Sequence, residues 1–207
     1  MEKNIENTIK GRIAECVAEE LFKELNFFVI KFGQEHQVEP ITQLQGFIEK
    51  CDGNFKLKYG RYEKWNSFDY VRRMPDFVIV KNNFEPELLE VKYRTSGIYI
   101  DKVNGLKDND IIELFEYYPT ARLLLIVNKS KTYFTDCDFK DYSELKRLKA
   151  TNFQILYEEL NKDDDSKDDL CQLPLTDWLK KEYNIPIEKS TSIIEKYEKL
   201  VDSWLNR

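Results

Sequence analysis

The apolar positions of this chain change their period from one stretch to the next, and those changes mark out its elements. Ala14, Val17, Ala18, Leu21, Leu25 and Phe28 recur at helical spacing, which predicts a helix from about Asn7 to Asn26. Phe27-Phe28-Val29-Ile30 then reads as a buried strand. Pro75-Asp76-Phe77-Val78-Ile79-Val80 reads as a short strand with Asp76 at its head, and Glu85 to Lys92 as a second strand. Lys81-Asn82-Asn83-Phe84 lies between them, and asparagine tolerates left-handed backbone, so a hairpin is expected. Asp108 to Tyr118 carries Ile111, Ile112, Leu114 and Phe115 at helical spacing and stops before Pro119. Ala121 to Val127 is almost wholly apolar, the signature of a central strand buried on both faces. Strand, helix and strand in that order imply a crossover with parallel pairing.

The remaining pattern is less regular. Between Gln34 and Tyr70, Pro40 to Lys50 reads as a short helix and Gly53 to Trp65 as a hairpin or ordered loop. Asp141 to Lys149 reads as a short helix, and Phe153 to Tyr157 as a last strand. Residues 161–170 are a charged linker in this reading; the acidic run lacks the glycine and closing glutamate of a calcium loop. Residues 171–207 form a helical extension, with a capped helix start at Leu175 to Leu179. Its second helix, from Ser192 to Leu205, has Ile193, Ile194, Tyr197, Leu200, Val201 and Trp204 on one face. Such a tail packs back on the core or pairs with a second copy.

Composition narrows the functional classes. With 42% hydrophobic residues over 207 positions, the chain can bury a core and is not of the disordered class. No apolar run has the length of a membrane span and the N-terminus is polar, so a cytoplasmic protein with no membrane partner is expected. Cys16, Cys51, Cys137 and Cys171 have no paired spacing, and His36 is the one histidine, which disfavours zinc sites and histidine relays. The net charge of −6 argues against a general DNA-coating protein, which would be basic. It is unevenly spread, however. Cys51 to Lys107 holds eleven Lys and Arg against eight Asp and Glu, while the chain from Asp108 onward holds fifteen against twenty-one.

That local basic excess surrounds the residues with the clearest chemistry. Glu90 and Lys92 are two apart on a strand and share one face, and a hairpin lays Asp76 across from them. Two carboxylates suit Mg²⁺, with Mn²⁺ as a substitute, and the Val91 carbonyl can add a third oxygen. Such an ion activates water and polarises a phosphoryl group. Lys92 can help deprotonate the water or hold charge on the phosphate. Arg94, on the same face, and Arg72, Arg73 and Lys107 are candidate phosphate contacts, interleaved with tyrosines that can stack bases.

Pro75-Asp76 followed by Glu90-Val91-Lys92 resembles the PD-(D/E)xK nuclease superfamily, and Gly11 with Glu15 is similar to the Gly-x-x-x-Glu on the first helix of its Holliday junction resolvase-like members. The resemblance covers roughly Gly11 to Val127. It implies a restriction-endonuclease-like three-layer α/β/α sandwich with a mixed central sheet over residues 1–160, carrying an insertion at about 34–70. It also implies a metal-dependent (endo)nuclease acting on nucleic acid, DNA rather than RNA. Asp76, Glu90, Val91 and Glu15 would hold metal, with Lys92 assisting; Glu20 competes with Glu15 for the helix position. Oligomeric state stays open, although cutting both strands calls for two active centres, as in a homodimer. The alternative is an inactive protein of the same fold that binds nucleic acid or a protein partner.

Overall fold

The computed structural model describes residues 2–31, 74–81, 84–95, 109–128, 148, 150–159 and 169–205. The 34–70 insertion, the Asp141 to Lys149 helix apart from Leu148, and His36, Arg72, Arg73 and Lys107 lie outside these. In chain order the described elements are α1 (Glu2–Glu24), β1 (Phe28–Lys31), β2 (Phe77–Val80), β3 (Glu87–Arg94), α2 (Asn109–Tyr117), β4 (Arg122–Val127), β5 (Phe153–Glu159), β6 (Asp169–Pro174), α3 (Leu175–Tyr183) and α4 (Ile187–Trp204).

The strands form one mixed six-stranded sheet in the order β1-β2-β3-β4-β5-β6. β3 and β4 are parallel, joined through α2, as the strand–helix–strand pattern requires. The other neighbours are antiparallel. Alternation along the strands divides the core between two faces. Phe77, Leu89, Leu124 and Ile126 pack with Leu21 and Phe22 of α1, Trp178 of α3 and Val201 of α4. Leu123, Leu125 and Val127 point the other way, onto Ile111, Leu114 and Phe115 of α2. Helices therefore cover both faces of an α/β sheet, and β4 is buried on both sides, as its unbroken apolar run predicts.

Three expectations need correction. The first strand is covered on one face only: Val29 packs against the α1-side core, whereas Phe28 is 68% exposed and Ile30 41% on the other face. Asn26 adopts left-handed backbone (φ 64°), so Phe27 rather than Phe28 turns back onto the helix, donating its N–H to the Phe22 carbonyl at 2.9 Å and meeting the Phe22 ring edge-on. Lys81 closes the same helix end by donating to the Leu25 and Asn26 carbonyls. Second, the tail packs back on the core, one of its two expected fates, but it opens with a strand. Asp169 and Leu170, expected in the linker, begin a sixth strand on β5, and α3 and α4 share the core of α1. Phe153 to Tyr157 is thus not the last strand. Third, α3 has no side-chain cap; Pro174 precedes it, and its fixed φ suits a helix entrance without one.

Two stability tests follow from this packing. A Cβ added at Gly11 in α1 meets nothing within 4 Å. Gly11→Ala should therefore raise stability by about 1 kcal/mol, the helix-propensity difference, read by urea denaturation. At the opposite end of β3, Glu87 accepts from Arg122 Nε and from the Tyr183 hydroxyl, both at 2.8 Å, tying β3, β4 and α3 together. Glu87→Ala strands a largely buried guanidinium and should cost roughly 3 kcal/mol in the same measurement.

Candidate metal centre

The Asp76 site arises where β2 begins beside the middle of β3. The β2–β3 ladder begins at Phe77↔Leu89, and Asp76, the residue before it, meets the Val91 N–H and the charge of Glu90. Neighbouring strands lie about 5 Å apart, a span that a hard cation can bridge through carboxylates on both. Asp76 Oδ2 accepts the Val91 N–H at 2.8 Å, which orients the carboxyl across the strand pair. In an extended strand the N–H and C=O of one residue point to the same edge. The Val91 carbonyl therefore faces the start of β2, where Pro75 has no N–H to offer it. A proline at this position thus leaves a main-chain oxygen beside the two carboxylates.

Lys92 stands two residues beyond Glu90 along β3, on the same face, with Nζ 2.6 Å from Glu90 Oε1. Arg94 follows on that face, half-buried, with Nη1 3.4 Å from the Tyr93 carbonyl. From α1, Glu15 adds negative charge near Asp76 and pairs with Lys31 Nζ at 3.5 Å. Glu20 lies elsewhere, 62% exposed and bound to Lys23 at 2.9 Å. Of the two helix glutamates, Glu15 is the one whose charge reaches Asp76. Among the described residues, no three His, Cys, Asp or Glu side chains close into a complete ligand set; the carboxylates that converge are Asp76 and Glu90.

Electrostatics set these groups apart from ordinary surface charges. Burial desolvates Asp76, and Glu90 and Glu15 add like charge, so its carboxyl is pushed up to about 8 against the pull of the Val91 N–H and Lys92. Burial works against the Lys92 ammonium too, but the charge and hydrogen bond of Glu90, with Asp76 beyond, outweigh it and hold Lys92 above the usual lysine range. The site therefore keeps a proton on Asp76 near neutrality and an ammonium beside Glu90.

Lys31 was not singled out from sequence. Only the β1–β2 register shows that this strand-end lysine lies opposite Phe77, next to Asp76. Tyr93 follows Lys92 in β3; its hydroxyl donates to the Leu205 carbonyl at 2.7 Å and ties the far end of β3 to the end of α4. No family model, curated protein or solved structure matches this chain. Among the described residues, no helix is long and apolar enough to cross a membrane.

Proposed function

We propose that this protein is a Mg²⁺-dependent nuclease with a restriction-endonuclease-like fold, hydrolysing phosphodiester bonds in DNA. The observation that carries the reading is the meeting of Asp76 and Glu90 at the start of β2, with Lys92 paired to Glu90. The donor set suits a hard cation: two carboxylates, one with no ion pair among the described residues, and a main-chain oxygen facing a proline. Asp76, Glu90 and the Val91 carbonyl would hold the ion, and Glu15 would hold a second ion or orient water. When bound, the metal supplies Lewis-acid activation of water and of the phosphoryl group.

The chain's own residues define the rest. Val91 N–H fixes the Asp76 carboxyl, so its second oxygen is left for the ligand. Asp76 must release its proton before it can act as a ligand. Lys92, held as an ammonium, serves as a donor that neutralises charge on the phosphate oxygens rather than as a base. Arg94, two residues further on the same face, extends the positive lining along the strand.

The test is cleavage of single-stranded, duplex and branched DNA with Mg²⁺ or Mn²⁺ and with a chelator, alongside calorimetric Mn²⁺ titration. Metal-dependent products are expected. A protein that neither binds Mn²⁺ nor cuts any of these overturns the reading. The net charge of −6 supports a second reading, a protein of this fold that binds nucleic acid or a protein partner without cutting. Mn²⁺ binding with every DNA left intact selects it.

A further inference from the structure

The geometry points to Lys31 as a phosphate contact of the same site, on the opposite face of the sheet from Lys92; this rests on the nuclease reading. Lys31 ends β1 and pairs directly with Phe77, the residue after Asp76. Directly opposed residues share a face, and Phe77 is buried in the core on the α1 side. Lys31 therefore stands on the α1 face, with its Nζ 5.7 Å from the centre of the Phe77 ring and 3.5 Å from Glu15 Oε2. Lys92 leaves β3 from the other face, where Glu90 also lies. One ammonium thus lies on each face of the sheet at the start of β2, Lys92 beside Glu90 and Lys31 beside Glu15.

The Lys31–Glu15 pair has the character of an exchangeable contact. Its separation is longer than the 2.6 Å of Lys92–Glu90, and its members remain 28% and 25% exposed. Partly exposed pairs at such spacing add little to stability. An ammonium has three donors, and a single Glu15 oxygen leaves others for a phosphate. In the metal-free protein Lys31 offsets the Glu15 charge. When a nucleic-acid strand lies along the start of β2, Lys31 and Lys92 hold phosphate oxygens from the two faces, and Glu15 is released to the ion or to water. Lys31 is then a binding and positioning residue, and its loss should weaken substrate binding more than turnover.

The experiment compares full-length parent, Lys31→Gln and Lys31→Arg in duplex-DNA cleavage, with DNA binding measured against salt in a Lys92→Met background to prevent cutting. Lys31→Gln is expected to raise KM about tenfold with a smaller change in kcat. It should also lower the salt slope of binding by about one, the release of one counterion. Lys31→Arg should restore both. Parent KM and salt slope in Lys31→Gln overturn the Lys31 assignment alone, provided that the parent cuts and Asp76→Ala does not. A parent that does not cut overturns the assignment together with the nuclease reading.

Discussion

Asp76→Asn is expected to make the metal-free protein more stable and to remove its response to divalent metal. The amide oxygen of the introduced asparagine still accepts the Val91 N–H, so the local backbone keeps its bond. What the substitution removes is a carboxyl that folding drives into a desolvated, negatively charged position. The sign follows from proton counts. The folded carboxyl keeps its proton up to about pH 8, whereas an unfolded aspartate loses it near 3.8. Between those values the folded state binds more protons, so this group lowers stability progressively as pH rises through the window. Below about pH 4 both states are protonated and the variant has no advantage. At pH 8 the advantage should be on the order of 5 kcal/mol. Urea denaturation at pH 5, 7 and 8.5 reads it. Saturating Mn²⁺ should raise the Tm of the parent, more at pH 8 than at pH 6 because the ion must displace a proton, and leave the variant unmoved. A stability difference that stays constant from pH 5 to 8.5 counts against the desolvated carboxyl, and an equal Mn²⁺ response counts against Asp76 as a ligand.

Lys92→Met should leave a folded protein that binds Mn²⁺ at least as tightly as the parent and cuts DNA at least about 100-fold more slowly. Methionine preserves much of the apolar stem of lysine and removes the ammonium. Glu90 then loses a partner 2.6 Å away, so its carboxylate no longer divides its charge between lysine and metal. Turnover falls because the donor that neutralises developing phosphate charge is gone. If kcat stays within a few fold of the parent, Lys92 is merely a structural counter-ion of Glu90. If Mn²⁺ affinity collapses instead, Lys92 organises the metal ligands rather than the phosphate. Circular dichroism and gel filtration separate either result from simple unfolding.

Much of this protein is legible from short-range pattern. The stripe from Ala14 to Leu25 predicts α1, although the helix begins earlier, at Glu2. Leu123 to Val127 reads as a doubly buried strand because five successive apolar residues leave no polar face. Glu90 and Lys92 share a face because strand period is two, and Pro75-Asp76 marks the start of its partner strand. The misses have a common cause. Leu170 packs on one face of the sheet and Cys171 and Leu173 on the other, so β6 shows no strong period of its own and is a strand because β5 pairs with it. Phe28 and Val29 look equally buried in the sequence, but they leave β1 on opposite faces, and only the docking of α1 decides that Val29 meets the core while Phe28 stays exposed.

The chemistry divides in the same way. Residue types and their spacing already bring Glu90 and Lys92 to one face and Asp76 to the head of the neighbouring strand, because a strand's alternation is a property of the strand alone. The Lys31–Glu15 pair, the Glu15 rather than the Glu20 charge acting on Asp76, and the raised affinity of Asp76 for its proton come from the tertiary structure. Each depends on register, helix docking or loss of water. Those are set by contacts between residues far apart along the chain, and no local window of sequence contains them.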